Sequence, residues 1–368
     1  MRKAICVIVL LVFSLSLISC DKSNQTSKLN PFESSKLFPV KQNGKWGYIN
    51  ASGKVIINPQ FDDANYFENG LARVNIGGRE IEINGKRKVE GGKWGYIDSD
   101  SKFLVNPQYD SAKDFSEELA AVKSGDKWGY INKTGKISIN YQYDHAWSFS
   151  EGLALVNIGG VLNERNYVVK GQNGYIDKTG KYIINPQFDD AREFKEGMAA
   201  VGVNNAGGYI KAWGYIDKTG KYVINPQFEI ALSFSDEYAI VGLAKKAGYI
   251  AGYVDKSGKY ILNSQYDSAS NFSDGLAAVK KDDKWGYIDK TGKYIINLQF
   301  VGAKPFKEGI AAVKVDKNWG YIDKAGKFIV TPQFDDANSF KDGLASVKIG
   351  EKWGYIDDKG KYVWNPTE

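Results

Sequence analysis

The stretch KWGYIDKTGKYIINLQF, residues 284–300, decides the fold, because near-copies of it occur nine times in the 368-residue chain. With the Trp of each copy as origin, the regular units are 34 residues apart, and the others are longer. The nine origins are Trp46, Trp94, Trp128, Asn173, Trp213, Ala251, Trp285, Trp319 and Trp353. A fixed period of this kind predicts an array of supersecondary units, each packed on its neighbours.

Each unit is predicted to contain a β-hairpin. WGYID and KYIIN are short runs of aromatic and β-branched residues, which is typical of strands. The Gly of the intervening KTG supplies the left-handed residue of a type I turn with a G1 bulge, and only Ser101 breaks this rule. A third run, LAAVK, leads through a loop of variable length into the next WGYID. The unit is therefore predicted to be a three-stranded antiparallel meander.

The linking segment PQFDDAxxFxEG reads differently. Its aromatic, Ala and Phe recur at i, i+3 and i+6, which favours one or two helical turns laid against the sheet. The Asp after the aromatic, as in Asp62 and Asp189, is predicted to cap that turn.

The fold class predicted for residues 37–366 is all-β, a tandem array of nine three-stranded meanders. Both strand faces carry apolar residues, so each meander is expected to pack on both sides. Three strands in 34 residues are few for a propeller blade. This favours an open, solenoid-like stack, with a closed β-propeller-like ring as the alternative.

The N-terminus has the layout of an export signal. Arg2 and Lys3 precede an apolar run shorter than the roughly 20 residues of a bilayer-spanning helix. LISC, residues 17–20, looks like a bacterial lipobox, which implies cleavage before Cys20 and lipidation of that Cys. We predict a signal peptide over residues 1–19 and a lipidated Cys with a flexible tether over 20–36. The protein would then be membrane-anchored in the cell envelope, periplasmic or surface-exposed; an ordinary secretory signal is the alternative.

The repeated pattern KWGYID..GK..I.PQ[FY]D.A..F.EGLA.V resembles the WG, or KWG, repeat family of bacterial proteins over residues 37–366. The resemblance implies a protein that is often exported and has no assigned general activity. The hairpins are also similar, more loosely, to aromatic repeats of cell-wall-binding modules, where neighbouring hairpins form ligand slots. Asn173 and Ala251 depart from both patterns, since each replaces the Trp.

The repeated Trp has two interpretations. A buried Trp removes about 150–250 Å² from water, so it can hold the core together, and the Gly beside it lets a neighbouring backbone approach closely. Alternatively its ring is a stacking platform for a sugar or a choline-like cation. We favour a structural role for Trp46, Trp94, Trp128, Trp213, Trp285, Trp319 and Trp353.

Composition argues against several function classes. The formal net charge of +6 comes from interspersed acids and bases, so a nucleic-acid partner is not expected. One His and two Cys, Cys6 and Cys20, give no basis for a metal site, and no cofactor motif is present. The repeated Asp pairs, such as Asp62–Asp63, are predicted to serve turns, because a catalytic pair needs two unlike environments. We therefore predict that the protein is not an enzyme.

The long insertions are the predicted binding elements, because loops on a rigid array often carry specificity. Residues 75–93 contain Asn84-Gly85, a type I′ turn signal that would pair Ile83 with Lys86 and Ile81 with Lys88. The insertion from residue 157 opens with the same NIGG. The candidate binding residues are Ile81, Ile83, Arg87, Val161, Leu162, Tyr167 and Val168.

Two functions follow from these patterns. The first is a lipid-anchored binding scaffold of the cell envelope with a protein or glycan partner. The second is a purely structural envelope lipoprotein. Exposed apolar side chains on the two insertions would favour the first.

Overall fold

The computed structural model describes residues 36–83, 86–162, 168–204, 210–245 and 248–367. Within these ranges every regular element is a β-strand, and no helix occurs. The strands form nine consecutive antiparallel sheets, the blades of a closed nine-bladed β-propeller. A small two-stranded sheet is added within the fourth blade.

The strands divide among the blades in chain order. Blade 1 has β1 (Leu37–Gln42), β2 (Lys45–Asn50) and β3 (Val55–Phe61). Blades 2 and 3 have β4 (Asp63–Ala64), β5 (Ala72–Ile83), β6 (Lys86–Ile97), β7 (Phe103–Tyr109), β8 (Ser111–Ala112), β9 (Leu119–Ser124), β10 (Lys127–Asn132) and β11 (Ile137–Tyr143). Blade 4 has β12 (His145–Ser150), β13 (Leu153–Ile158), β16 (Gln172–Ile176) and β17 (Tyr182–Phe188), with β14 (Val161–Leu162) and β15 (Val168–Val169) between them. Blades 5 and 6 have β18 (Asp190–Ala191), β19 (Ala199–Asn204), β20 (Ile210–Ile216), β21 (Tyr222–Phe228), β22 (Ile230–Ala231), β23 (Ala239–Lys245), β24 (Gly248–Val254) and β25 (Tyr260–Tyr266). Blades 7 to 9 have β26 (Ser268–Ala269), β27 (Ala277–Lys281), β28 (Lys284–Ile288), β29 (Tyr294–Phe300), β30 (Gly302–Ala303), β31 (Ile310–Val315), β32 (Asn318–Asp323), β33 (Phe328–Phe334), β34 (Asp336–Ala337), β35 (Ala345–Ile349), β36 (Lys352–Ile356) and β37 (Tyr362–Thr367).

A complete blade has four strands in chain order: an inner, a second, a third and an outer strand. In blade 3 these are β8, β9, β10 and β11. The outer strands carry exposed apolar side chains, for example Val223 at 48% and Ile295 at 42% exposure, so they form the rim. Within the described residues, blade 1 has only the second, third and outer strands.

The prediction of a three-stranded unit with a helical link is wrong. In the linking segment, Asp63 and Ala64 pair with Asn75 and Val74 as the inner strand of blade 2. The carboxylate of Asp62 caps no helix; it accepts the N–H of Gly77 at 2.7 Å and binds Lys45 at 2.5 Å. The i, i+3, i+6 pattern misled because a two-residue strand is too short to show the alternation typical of strands.

The predicted hairpin between the third and outer strands is confirmed. In blade 1 the N–H of Gly53 donates to the carbonyl of Asn50, and Gly53 has a φ of 83°. Ser101, the exception in sequence, adopts the same left-handed conformation at 65°. The Gly after the Trp is required for the predicted close approach, since a Cβ on Gly47 would lie 2.4 Å from the carbonyl oxygen of Ile57.

The core lies between neighbouring blades, where the Tyr of GYI is buried. Its hydroxyl donates to a backbone carbonyl next to the inner strand of the following blade; for example, Tyr48 donates to Asn65 at 2.7 Å. The same bond is made by Tyr96, Tyr130, Tyr175, Tyr215, Tyr253, Tyr287 and Tyr321. This Tyr therefore fastens each blade to the next.

The favoured open stack is also wrong, and the alternative of a closed ring is right. Phe38 of blade 1 packs edge-on against Tyr355 of blade 9, with ring centroids 5.6 Å apart. The hydroxyl of Tyr355 donates to the carbonyl of Pro39 at 3.0 Å, and Lys341 of blade 9 pairs with Glu68 of blade 2. Closure depends on the rotation summed over nine blades, which no single repeat displays in its sequence.

Candidate functional site

Both insertions lie on one face of the ring. In an antiparallel blade the connections alternate between the two ends, so every link from second to third strand falls at the same end. We call this end the upper face. The hairpin of residues 75–93 rises from blade 2, and the 157–172 segment rises from blade 4, with blade 3 between them.

The first insertion lengthens the blade itself. β5 and β6 pair continuously in the predicted register, with Ile81 opposite Lys88 and Ile83 opposite Lys86. The predicted turn at Asn84-Gly85 lies outside the described residues. Ile81 is half-buried and Arg87 is exposed. The role of Ile81, Ile83 and Arg87 in binding remains a prediction.

The second insertion forms a separate short ribbon, in which Val161 pairs with Val169 and Leu162 with Val168. The side chain of Val161 is 50% exposed, and Ile158 before it is 38% exposed. Tyr167 lies outside the described residues. The second insertion therefore presents apolar side chains to solvent on the upper face.

A buried Asn explains why both insertions begin with NIGG. Asn75 and Asn157 are fully buried at the bases of the two insertions. Asn75 donates to the carbonyl of Gly91, and Asn157 donates to the side chain of Asn173, which replaces the Trp of that repeat. A Cβ at Gly92 would lie 2.2 Å from the Asn75 side-chain oxygen, so Gly is required there. Sequence analysis noted the shared motif but missed this role.

The repeated Trp side chains lie beside the inter-blade cores. Trp128 and Trp213 are 7% exposed, and the other five are half-buried. In four blades a cation of the same blade stacks over the indole, at 5.0 Å for Arg73 over Trp94 and 5.1 Å for Arg192 over Trp213. The other two pairs are Lys113 over Trp128 and Lys304 over Trp319. The structural role of the seven Trp residues therefore stays a prediction, with a ligand platform as its alternative.

A cavity of about 290 Å³ lies where blade 9 meets blades 1 and 2. We call this place the seam. No inner strand pairs with blade 1 among the described residues, and the cavity lies beside its second strand, β1. The lining residues are Pro39, Val40, Lys41, Trp46, Ala64, Tyr66, Arg87, Asn338, Ser346, Trp353, Tyr355, Trp364 and Thr367. Of the predicted binding residues whose side chains the structure describes, only Arg87 lines it.

The first insertion leans over this cavity. Glu80 on its first strand binds Lys41 of blade 1 at 2.5 Å and Arg87 at 2.9 Å. A second, more polar depression continues from Glu82 and Arg87 to Lys348 and Trp353 of blade 9. The insertion of blade 2 thus spans blade 1 and reaches blade 9.

Hydroxyl groups hold the floor of the cavity. Burial raises the pKa of Tyr355 well above its usual range, so its hydroxyl stays a donor to the carbonyl of Pro39. The hydroxyl of Tyr66 lies 3.1 Å from that of Tyr355. The hydroxyl of Thr367 donates to the carbonyl of Lys41 and accepts the indole N–H of Trp364. One signal was available in sequence: Trp364 stands where other repeats have Ile, Leu or Val.

Among the described residues, metal-binding and titratable side chains form no further candidate site. The described residues contain no group of three or more His, Cys, Asp and Glu that could hold a metal ion. Burial lowers the pKa of His145 and raises that of Asp63, but these groups lie in different blades. In the part of the chain that the structure describes, no helix has the length and apolarity to cross a bilayer.

Comparison with solved structures shows similarity in fold alone. A chain described as the eukaryotic initiation factor is 12% identical with a TM-score of 0.60, covering 89% of this chain and 94% of that one. Dihydro-heme d1 dehydrogenase NirN in complex with DHE is 15% identical over 74% of this chain and 71% of that one, with a TM-score of 0.41. Hsv2p of Kluyveromyces lactis is 12% identical over 78% and 94%, with a TM-score of 0.39. No curated protein matches the sequence.

Comparison with protein families is decisive for the repeat. The WG containing repeat matches eight times, over residues 46–79, 94–128, 128–161, 174–205, 213–246, 252–285, 285–319 and 319–353. Each match starts in the third strand of one blade and reaches at least the second strand of the next, and nine blades in sequence have eight such junctions. The matches cover more than half of the chain, which therefore belongs to the family of WG-repeat proteins.

Proposed function

We propose that the protein is exported, anchored to a membrane by a lipid on Cys20, and serves in the cell envelope as a non-enzymatic binding scaffold for a protein or glycan partner. The WG-repeat propeller supports the scaffold part of this proposal. The anchor rests on the N-terminal sequence, with its basic start, apolar run and LISC. Two or more acyl chains give stable membrane attachment, whereas one gives marginal binding.

The observation that carries the binding role is the pair of insertions on one face of a rigid ring. Ile76, Ile158 and Val161 are large apolar side chains exposed to solvent there, at 39%, 38% and 50%. Aliphatic side chains in this setting lose water when a partner covers them, which favours association. The buried Asn accounts for the shared NIGG motif, but a purely structural role gives no reason for the exposure of Val161 beyond it.

The binding role is tested by retention of envelope components on the immobilised protein. We expect Val161→Ser to lower retention severalfold, because it removes an exposed apolar contact from the upper face. Val223→Ser is the matched control, since Val223 is 48% exposed on the outer rim. Equal retention by the wild type and both variants would favour the structural lipoprotein instead.

The anchor is tested separately by fractionation of cells. We expect Cys20→Ala to move the protein out of the membrane fraction or to block its processing. Mass spectrometry of the wild-type protein should show acyl chains on Cys20. An unmodified mature N-terminus at another position would refute lipidation and leave the binding role untouched.

A further inference from the structure

We propose that the seam cavity is a sugar-binding site that takes one neutral pyranose ring of a glycan. This inference rests on the proposed function and takes the partner to be a glycan, not a protein. It is carried by the aromatic walls of the cavity, by the balance of charge at its roof, and by the polar groups along one side.

The aromatic walls border the cavity at a place where four other blades carry a cation over the Trp. The cations over Trp128, Trp213 and Trp319 come from the residue after the inner strand, as Lys304 does in blade 8. Blade 9 has Asn338 at that position, and in blade 1 the described strands begin with the second one, β1. The indoles of Trp353 and Trp46 therefore border the cavity without a cation from that position. Trp364 adds a third indole.

The charge at the roof favours a neutral ligand. Lys41, with only 11% of its side chain exposed, and Arg87 both face the cavity and both pair with Glu80. A cationic ligand would be repelled by these two groups, although aromatic walls alone suit a cation. An anionic ligand would have to compete with Glu80 for both of them. A neutral ring avoids both penalties.

The polar groups match ring hydroxyls. The side-chain amide of Asn338 donates to the hydroxyl of Ser346 at 2.9 Å, and both residues line the cavity with Arg87. Ligand sites are mostly apolar with a few placed polar groups, and the volume of about 290 Å³ is near the lower end of their range. A pyranose presents C–H groups on its faces and hydroxyls at its edge, which fits indole walls and a polar side.

A peptide strand fits less well. A strand added to the edge of blade 1 would bond to the carbonyls of Pro39 and Lys41, at the positions where the segment around the inner strand of blade 9 bonds to Ser346 and Lys348. Those carbonyls already accept the hydroxyls of Tyr355 and Thr367. Strand addition would break one buried and one part-buried hydrogen bond, whereas a ring ligand leaves both in place.

The test is titration of the purified full chain with methyl β-D-glucopyranoside, N-acetylglucosamine and methyl α-D-mannopyranoside, followed by tryptophan fluorescence and calorimetry. We expect saturable binding of at least one sugar in the millimolar range. Trp353→Ala should weaken it by about tenfold or more. Trp285→Ala is the matched control: Trp285 occupies the same repeat position in blade 7 and lines no part of the seam cavity. Ser346→Phe fills the cavity without removing a ring and should also abolish binding.

Tetramethylammonium and benzoate serve as probes of the two rejected chemistries. The inference is overturned when no sugar saturates, when only one of these ions binds, or when Trp285→Ala weakens sugar binding as much as Trp353→Ala. Should Trp353→Ala fail to fold, Ser346→Phe decides, and unchanged sugar affinity in that variant overturns the inference. Envelope retention through Val161 is a separate measurement, so its persistence without sugar binding refutes the seam site alone.

Discussion

The junction between blades 8 and 9 and the junction between blades 9 and 1 are built from the same repeat but are closed by different groups. At the first, Tyr321 donates to Asn338, beside the inner strand of blade 9. The N–H groups of Asn338 and Asp335 then donate to the carbonyls of Ser346 and Lys348 on the second strand. At the seam the equivalent carbonyls belong to Pro39 and Lys41, and they accept the hydroxyls of Tyr355 and Thr367.

The difference shows how side chains close the ring at the one blade for which the described residues include no inner strand. Buried carbonyls need donors, and leaving one without a donor costs about 1–3 kcal/mol. In a complete blade the inner strand supplies these donors from its backbone. At the seam two side-chain hydroxyls supply them, and the volume that the strand would have filled remains as the aromatic cavity.

The largest expected effect comes from replacing the Gly of the WGY motif, which packs against the outer strand at both junctions. Ala at Gly320 would place a Cβ 2.6 Å from the carbonyl oxygen of Val330, and Ala at Gly354 would place one 2.6 Å from that of Trp364. The opposing atoms are backbone of the bulged outer strand, so they cannot move aside as a flexible side chain could. We expect each substitution to lower the free energy of unfolding by about 3 kcal/mol or more, measured by denaturant titration.

Gly343→Ala is the control for this prediction. Gly343 has a φ of 87° with open space around it, so only the left-handed conformation is penalised, by about 1–2 kcal/mol. Equal losses at Gly320 and Gly354 would show that the blade interior is the same on both sides of the comparison. If Gly354→Ala lowers the free energy of unfolding no more than Gly343→Ala does, the expected clash with the outer strand of blade 9 is wrong.

Sequence reasoning recovered what a single repeat contains. The hairpin, its left-handed Gly and the pairing within residues 75–93 follow from local rules, which need only a few adjacent residues. The inner strand was missed because its two residues, as in Asp63–Ala64, gain their identity from pairing with β5 and not from their own pattern.

The candidate site was less predictable for a related reason. Arg87 was selected because it lies on an insertion, and the structure brings it to the seam beside Trp353, far away in sequence. Closure joins the two ends of the array, so residues on blades 9, 1 and 2 meet only after all nine blades have formed. Tyr355 looks like the Tyr of any other WGY motif until that contact exists, whereas Tyr66 is the only Tyr at its repeat position and was a second signal in the sequence.

Within the WGY motif, the Tyr is buried more completely than the Trp. The Trp was the natural candidate for the core because of its size. The Tyr at the next position but one is more completely buried and makes the bond to the following blade, as Tyr287 does with Lys304. Size alone does not reveal burial, because a hydroxyl with a fixed acceptor can be buried completely.

The smallest expected effect separates the two junctions. Tyr321→Phe removes one hydrogen bond, to the carbonyl of Asn338, and should cost about 1 kcal/mol of unfolding free energy. Tyr355→Phe removes the bond to Pro39 and the contact with Tyr66, so we expect a loss of about 2 kcal/mol.

Hydrogen exchange followed by mass spectrometry sharpens this last comparison. With Tyr355→Phe the carbonyl of Pro39 loses its donor. No described strand pairs with that edge of β1, so the amides of Leu37–Gln42 should exchange faster. With Tyr321→Phe the backbone bonds from Asp335 and Asn338 still hold the equivalent strand, Ala345–Ile349, so its exchange should stay close to the wild type. Thr367→Val should act on β1 in the same direction as Tyr355→Phe, because it removes the second hydroxyl. If the amides of Leu37–Gln42 in Tyr355→Phe exchange as slowly as those of Ala345–Ile349 in Tyr321→Phe, the hydroxyls do not take the place of an inner strand. Closure at the seam must then depend on packing of Phe38 against Tyr355.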